Sequence, residues 1–204
     1  MFDLFFGGKK RANVEVISDY IWMTTEAKFA GLTKEAVERS KSDTVAILLV
    51  AHFPDVQARL ERIAEQTKWD VPVKAVPASN LNAHLARSLS LDESGVIDVI
   101  VAERHPLPSI DDQLEEFADN LPCRCRFSHH LSLDDAAFRV FAGDWVQQVM
   151  RQLGMKEDEA IQSQMVSRRI RKAQEKIEGR GVGSREAGSA AEWLEQNCPD
   201  VGRN

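Results

Sequence analysis

Short runs of uninterrupted apolar residues most constrain how this chain can fold. Residues 45–51 read Val-Ala-Ile-Leu-Leu-Val-Ala, and residues 96–101 read Val-Ile-Asp-Val-Ile-Val. Aliphatic and β-branched runs of this length are typical of strands that are buried on both faces of a parallel sheet. Parallel strands need long crossover connections, which are usually helices. The chain is therefore predicted to be an α/β protein.

Helical patterns alternate with these strands. Pro54 suits a first helical turn, and the apolar residues at 56, 60, 63 and 64 then share one face. Ser132 and Asp135 have capping-box spacing and open a helix that Gly154 ends. We predict strands over residues 45–51, 71–76, 95–102 and 123–127, and helices over residues 33–40, 54–67, 81–89, 110–119, 132–153, 158–178 and 190–196.

Composition narrows the class of protein. The 204 residues, 43% of them hydrophobic, are enough for a core, and the net charge of -6 argues against a nucleic-acid partner. Three cysteines suit a reducing cytoplasm better than a disulfide framework. No apolar run approaches the ~20 residues needed to cross a bilayer. We therefore expect a cytoplasmic protein.

The N-terminus permits two interpretations. Four apolar side chains among residues 2–6 precede a basic cluster at residues 9–11. Such a segment could touch an anionic membrane surface peripherally, or it could be a frayed end or a small apolar plug on the domain.

Several short motifs follow one another in the second half of the chain. Glu103-Arg104-His105 precedes Ile110-Asp111-x-Gln113-Leu114, and Leu131-Ser132-Leu133-Asp134-Asp135 precedes Arg139-x-Phe141-x-Gly143-Asp144. Upstream lies Asp19-x-Ile21-Trp22-x-Thr24-x-x-x-Lys28. In this order and spacing they resemble the second motor domain of SecA, the preprotein translocase ATPase. The resemblance implies a RecA-like or helicase-like parallel-sheet fold, trimmed, with extra C-terminal helices.

The resemblance also implies a division of the chain. Residues 1–18 form an N-terminal segment, which is amphipathic in the membrane-contact interpretation given above, and residues 19–155 form the motor-domain-like unit. Residues 156–180 form an amphipathic basic helix, at the place where SecA enters its long scaffold helix. Residues 181–204 are expected to be a flexible tail with a short helix.

The run that senses phosphate in SecA differs in this chain. Where the family has R-G-R-S-G-R-Q-G, residues 115–122 read Glu-Glu-Phe-Ala-Asp-Asn-Leu-Pro. Phe117 and Asn120 cannot supply the planar cation of an arginine finger. The sequence also lacks a G-x-x-x-x-G-K-[ST] loop and a D-E-A-D box. We therefore expect no enzymatic activity, no catalytic residue and no cofactor.

The residues that match the family are expected to be structural. In the resembling enzymes, the segment that matches residues 103–105 ends a strand beside the nucleotide. A retained Glu103–Arg104 pair could tie that strand to a helix through charge-assisted hydrogen bonds. The matching residues are Glu103, Arg104, His105, Asp111, Gln113, Asp134, Asp135, Arg139 and Asp144.

The last long helix supplies candidates for interaction. An apolar seam and a basic row run along it, and a tryptophan follows in the tail. The seam predicts a protein partner or a homodimer. The basic row could meet lipid head groups or an acidic partner, or it could simply be a solvated outer face of the helix. The candidates are Val166, Ile170, Ala173, Ile177, Arg168, Arg169, Arg171, Lys172 and Trp193.

Three hypotheses for function remain. The first is a non-catalytic SecA-like interaction or regulatory module linked to protein export. The second is an accessory subunit that binds ATP or ADP weakly and completes a site with a partner ATPase. The third is a zinc-binding module that uses Cys123, Cys125 and His129 or His130, although adjacent histidines on an extended chain face opposite sides.

Overall fold

The computed structural model describes residues 13–89, 91–142, 156, 158–180 and 183–198. Its strands are β1 Val14–Val16, β2 Tyr20–Trp22, β3 Ala46–Ala51, β4 Val73–Pro77, β5 Val96–Val101, β6 Arg124–Ser132 and β7 Ile161–Gln162. Its helices are α1 Thr25–Ser40, α2 Pro54–Gln66, α3 Ala83–Ser88, α4 Pro108–Asp119, α5 Ala136–Ala142, α6 Gln164–Glu178 and α7 Ala190–Asn197.

The described strands form one sheet in the order β4-β3-β5-β6-β2-β7. β1 pairs with the first half of β6 and β2 with its second half, so β1 and β2 act as one interrupted strand. The pairs are parallel except for β2 with β7, which is antiparallel. The predicted α/β class with a parallel sheet is confirmed.

Helices cover both faces of the sheet. In β3, Ile47 and Leu49 pack with residues of α1 and α2, whereas Leu48 and Val50 pack with residues of α4. All six residues of β3 are buried, which explains why its sequence does not alternate between apolar and polar residues. Each fully buried aliphatic side chain stabilises the fold by roughly 1.5–3 kcal/mol relative to an exposed one.

The chain reverses its winding direction between β3 and β5. From β3 the chain runs through α2 to β4 on one side, and from β5 it runs through α4 to β6 on the other side. The loops that follow these two adjacent strands therefore diverge and leave a crevice at the carboxyl edge of the sheet. Such switch points are where open α/β sheets usually bind ligands.

Three strands differ from the sequence prediction. β1 and β2 were not expected, because three residues are too few to show a periodic pattern. β6 extends to Ser132, whereas the prediction ended at residue 127. The second half of β6 is buried but carries polar side chains, including His129 and His130, which make hydrogen bonds or pack on aromatic rings. Because these residues are not apolar, the sequence shows no apolar run there and the strand was not predicted to extend so far.

Three helices also differ. α5 begins at Ala136 and not at residue 132, because Ser132 is the last residue of β6. α6 begins at Gln164 and not at residue 158, because Ile161 and Gln162 pair with β2 as a short antiparallel strand. α1 begins at Thr25, eight residues before the predicted start, with Thr24 as its N-cap. The second half of the helix predicted over residues 132–153 lies outside the described residues.

The apolar seam of α6 packs inside the chain. Ile170 belongs to a cluster with Ile21 and Leu133, and Ile177 belongs to a cluster with Phe53. Val166 and Ala173 are partly buried. The seam was predicted to pack against a protein partner or a second copy, and in this structure it packs on residues from both ends of the same chain.

The prediction for Trp193 is wrong. The tryptophan is only 5% exposed and lies on α7, the short helix predicted over residues 190–196, which packs against the domain and is not part of a flexible tail. Trp193, Leu194 and Cys198 form a cluster with Phe53 and Ile177. The residue is therefore an internal anchor in this structure.

Within the ranges that the structure describes, no helix is both long and apolar enough to cross a membrane.

Candidate functional site

A cavity of about 360 Å³ lies at the carboxyl edge of the sheet, beside the switch point. The first turns of α1, α2, α5 and α7 contribute to its walls. The first turn of a helix presents unpaired N–H groups and partial positive charge, so an edge of this kind can bind anions. Its charged lining residues include Lys28, Arg59, Glu103, Asp134 and Asp135.

A glutamate of the protein occupies the anion position at the start of α2. Glu103 Oε1 accepts hydrogen bonds from the backbone N–H groups of His52 at 2.9 Å and Phe53 at 3.0 Å. Glu103 follows β5 and His52 follows β3, so one carboxylate bridges the two strands at the switch point. These two N–H groups are therefore already bonded and are not free to bind a phosphate.

Two aspartates after β6 act similarly, one at the start of α1 and the other at the end of β6. Asp134 Oδ2 accepts from the backbone N–H of Thr25, the first residue of α1, at 3.1 Å. Asp135 Oδ2 accepts from the backbone N–H of Ser132 at 2.8 Å, and its Oδ1 accepts from the Ser132 hydroxyl at 3.0 Å. Protein carboxylates thus satisfy donors around the cavity.

The most deeply buried cation of the cavity is also neutralised. Lys28 Nζ lies 2.7 Å from Asp135 Oδ1, and its side chain is 2% exposed. A buried ammonium needs a partner charge, because burial in a low-dielectric interior disfavours an isolated ion. Lys28 is therefore committed to Asp135 and does not present a free charge to a ligand.

Burial raises the pKa of Glu103 to about 7, although the nearby His52 and Lys28 charges oppose the shift. The unfolded carboxyl has a pKa near 4.5. Between these two values the folded state binds more protons than the unfolded state. The contribution of Glu103 to stability is therefore fully present below pH 4.5 and is lost as the pH rises to about 7.

As the pH rises from 4.5 to 7, we expect the free energy of unfolding of the variant Glu103→Gln to increase relative to that of the wild type, by on the order of 2–3 kcal/mol. Above that range the difference between the two proteins should stay constant. Urea unfolding at half-unit pH steps measures the difference. The other buried groups titrate in both proteins, so their effects cancel in this comparison. A difference curve that is flat between pH 4.5 and 7 would contradict the buried, protonating Glu103.

Asp111 is the centre of a second buried cluster, directly behind the cavity. Its Oδ1 accepts from the backbone N–H of His105 at 3.0 Å and lies 2.9 Å from Nε2 of His52. Its Oδ2 accepts from Gln174 Nε2 at 2.7 Å and from Arg104 Nη1 at 3.3 Å. Burial alone raises the pKa of Asp111, but His52 and Arg104 outweigh it and hold the pKa well below its usual range.

Arg104 connects this cluster to the N-terminal part of the fold. Its Nη2 donates to Asp19 Oδ1 at 2.7 Å, and Asp19 lies just before β2. Through Arg104 and Glu103, the residues that follow β5 are tied to Asp19, α4 and the start of α2. The Glu-Arg pair therefore clamps several elements at the carboxyl edge.

His105 lies among aromatic rings. It stacks on Phe53 at 5.4 Å between ring centres and meets the rings of His52 at 5.3 Å and Trp193 at 5.1 Å edge-on. Its Nδ1 accepts from the backbone N–H of Leu107 at 3.0 Å. Burial lowers the pKa of His105 to about 4, so the ring is neutral at physiological pH.

The positions that replace the arginine fingers point away from the cavity. Phe117 is buried in the core cluster on the α4 face of the sheet. Asn120 ends α4, and its side-chain amide donates to the Glu116 carbonyl at 2.9 Å. Neither residue lines the cavity at the carboxyl edge.

Other family-matching residues are dispersed. Gln113 is exposed and lines a different hollow of about 720 Å³ that residues of α3 and α4 also line. Arg139 lies 3.9 Å from Asp134 with both side chains partly exposed. Asp144 lies outside the described residues.

The basic residues of α6 fall into two groups. Arg171 is paired with Asp112 of α4, at 2.6 and 2.8 Å. Arg168, Arg169 and Lys172 are exposed. Arg171 therefore joins α6 to α4 and does not belong to the exposed basic face predicted from the sequence.

The proposed zinc ligands have separate surroundings. His130 Nδ1 accepts from Trp22 Nε1 at 3.1 Å, so its Nε2 carries the proton and faces Glu35 Oε2 at 2.6 Å. His129 packs edge-on against Phe127. Cys123 and Cys125 are buried in the core on the α4 face. The described residues bring together no group of three or more side chains suited to hold a metal.

Sequence reasoning missed His52, Asp19 and Gln174 as members of the buried cluster. Each is far from its partner in sequence, as with Asp19 and Arg104, which are 85 residues apart, and Gln174 and Asp111, which are 63 apart. A motif search detects short spacings only. Asp19 did stand in the motif quoted above, and that was a signal available from the sequence.

Comparisons with known proteins agree with this architecture. A family model described as the SecA P-loop domain matches residues 54–158, about half of the chain. The subunit named protein translocase subunit SecA from Xanthomonas campestris pv. campestris (strain B100) is 47% identical over 87 residues, which are 42% of this chain. The corresponding protein of Xanthomonas oryzae pv. oryzae (strain PXO99A) gives the same values.

The match covers a small part of these relatives. The aligned residues span 9% of the length of each curated SecA protein. The matched family model includes β5, α4 and β6, together with the clamp residues Glu103, Arg104 and Asp111 and the capping residues Asp134 and Asp135. The chain belongs to the SecA P-loop domain family.

Proposed function

We propose that this chain is a non-catalytic SecA-like module that acts through protein contacts in or near protein export. The observation that carries the proposal is that carboxylates around the cavity at the carboxyl edge accept hydrogen bonds from backbone N–H groups of the protein itself. Glu103, Asp134 and Asp135 bond the backbone N–H groups there. A bound triphosphate would have to displace these carboxylates or accept their repulsion.

The charge around the cavity supports the same conclusion. Lys28 is held by Asp135, and Arg104 is held by Asp19 and Asp111. Arg59 is paired with Glu26 at the rim. Phosphoryl transfer needs cations that are directed at the transferred group. Here the cations of the cavity are directed at carboxylates of the chain.

The link to export rests on the relatives, which are named translocase subunits. Cys123, Cys125 and Cys198 are free thiols and buried, which supports a reducing, cytoplasmic compartment. The proposal places the chain in the cytoplasm or at the membrane periphery, with protein partners and without nucleic acid. A homodimer is one form that such a contact could take.

The proposal predicts that nucleotide does not bind independently. We expect the melting temperature to shift by less than the experimental error in the presence of millimolar ATP·Mg²⁺ or ADP, because a ligand that binds the folded state must stabilise it. Titration calorimetry should show no heat beyond dilution. A saturable shift would overturn the proposal and favour the alternative of an accessory nucleotide-binding subunit.

A matched variant tests the physical reason. Compared with the wild type above pH 7, where Glu103 is ionised, the double variant Glu103→Gln and Asp134→Asn keeps similar acceptors but removes two carboxylates from the cavity. Its affinity for pyrophosphate should exceed that of the wild type, whereas Glu116→Gln, on the outer face of α4, should leave the affinity unchanged. Equal affinities of all three proteins would show that the carboxylates are not what excludes phosphate.

A further inference from the structure

The last described segment, residues 183–198, is a self-contained unit that we name the cap. The Asn197 side chain accepts from the backbone N–H of Arg185 at 2.9 Å and donates to the Arg185 carbonyl at 3.1 Å. Gly188 N–H donates to Glu192 Oε2 at 2.7 Å, and Glu192 N–H donates to the hydroxyl of Ser189 at 3.2 Å. The polar groups of the cap thus bond largely within the cap.

Apolar contact attaches the cap to the domain. Trp193 and Leu194 lie on the inner side of α7, whereas Glu192, Glu195 and Gln196 on its outer side are exposed. A backbone hydrogen bond of 3.2 Å from Asp55 N–H to the Gly188 carbonyl adds a polar contact at the start of α2. α7 is therefore an amphipathic helix with a Trp-Leu anchor pair.

The surface beneath the cap is an apolar groove at the carboxyl edge. It is formed by Phe53, Leu107, Ala136, Val140 and Ile177, which come from the loops after β3 and β5 and from α5 and α6. His105 lies within it, against the Trp193 ring. Without α7 this groove would be exposed, and large exposed apolar patches usually mark interaction sites.

The cap also contributes to the cavity wall. Ser189, Ala190 and Ala191 line the cavity together with Lys28 and Phe29.

We infer that the carboxyl edge is a binding surface for an amphipathic helix with an aromatic-aliphatic anchor pair, and that the cap occupies this surface in cis. A partner helix of this kind binds in the groove only when the cap leaves. The inference rests on the proposed role as an interaction module and names the surface of that module. Helix-in-groove recognition reads anchors at i, i+3 and i+4, which Ala190, Trp193 and Leu194 provide in the cap itself.

The tether determines how strongly the cap competes. A segment joined by a short connection has an effective concentration on the order of millimolar at its own site. A free helix of equal intrinsic affinity must exceed this concentration to displace it. The wild-type chain should therefore bind such a helix much more weakly than a chain whose cap cannot dock.

The first experiment uses a fluorescent synthetic peptide of residues 183–198 and full-length proteins. The variant Trp193→Ala with Leu194→Ala removes the anchors of the tethered cap and leaves the groove intact. Fluorescence anisotropy should show saturable peptide binding to this variant and at least tenfold weaker binding to the wild type. The matched control, Glu195→Ala with Gln196→Ala on the exposed face of α7, should behave like the wild type.

Two results would overturn the inference. One is no binding of the peptide to a double variant whose circular dichroism shows a folded protein. The other is equal binding to the wild type and to the variant. A wild-type dimer that dissociates when the peptide is added would support the inference and identify a second copy of the chain as the source of the helix.

Hydrogen exchange of the unmodified protein tests the inference without any variant. Amides of α7 should exchange at least tenfold faster than those of β5, because the cap detaches without unfolding the sheet. Exchange of α7 at the rate of β5 would show that the cap opens only with the whole fold, which overturns the inference. The nucleotide titration has no bearing on these results, so failure of the proposed function and failure of the inference are distinguishable.

Discussion

Replacing Asp111 by alanine is expected to destabilise the protein by about 3–5 kcal/mol, because it leaves buried cationic and polar groups without their acceptor. Arg104, His52, Gln174 and the backbone N–H of His105 all meet this carboxylate. With a typical total stability of about 5–15 kcal/mol, the loss should lower the urea midpoint strongly. Urea unfolding followed by tryptophan fluorescence at pH 7 measures it.

The neighbouring residue is the control for this prediction. Asp112 pairs with Arg171, but both side chains are 40–48% exposed. Exposed ion pairs contribute little, so Asp112→Ala should cost no more than about 1 kcal/mol. If Asp111→Ala does not fold, Asp111→Asn keeps the shape and one acceptor and should lie between the two. An Asp111→Ala variant within 1 kcal/mol of the wild type would show that the cluster does not hold the carboxyl edge together.

Replacing Gly31 by alanine should destabilise the protein by about 1–3 kcal/mol or more, because a methyl group there meets a rigid ring. A Cβ at Gly31 would lie 2.0 Å from Trp22 Cζ2 and 2.1 Å from Cη2. The indole cannot move away easily, since it is 8% exposed and its Nε1 donates to His130. Thermal and urea unfolding of the variant measure the loss.

A double-mutant cycle shows whether the clash is the cause. In a Trp22→Phe background the ring is smaller, so the same alanine should cost less, and the coupling energy should be favourable. Gly179→Ala is a control at the end of α6, where φ is -65° and the added Cβ would meet the Glu175 carbonyl oxygen at 3.2 Å. It should change stability by less than about 1 kcal/mol in either direction. A Gly31→Ala protein more stable than the wild type would contradict the packing described here.

Much of the fold could be predicted from local pattern. The runs at 45–51 and 96–101 identified β3 and β5, since a strand buried on both faces needs an apolar residue at nearly every position. The motifs from residue 103 to residue 135 identified the family, since they keep their spacing along the chain.

Much of the candidate site could not be predicted in this way. His52 and Asp111 meet because β3 and β5 are adjacent in the sheet, and strand order is not encoded at either position alone. The seam of α6 and Trp193 have the composition of an interaction surface. Only packing shows that Ile177 and Trp193 bury each other around Phe53, and that Ile170 packs with Ile21 and Leu133.

The sequence by itself determined the α/β class, the two central strands and the family, because hydrophobic periodicity and motif spacing are local properties. The resemblance to SecA also implies that Phe117 and Asn120 occupy the positions of its arginine fingers. Only the tertiary structure decided that Glu103 fills the anion position, that Gly31 must lack a Cβ and that α7 covers the carboxyl edge. These features depend on distances between residues that are far apart in the chain, and such distances exist only once the chain is folded.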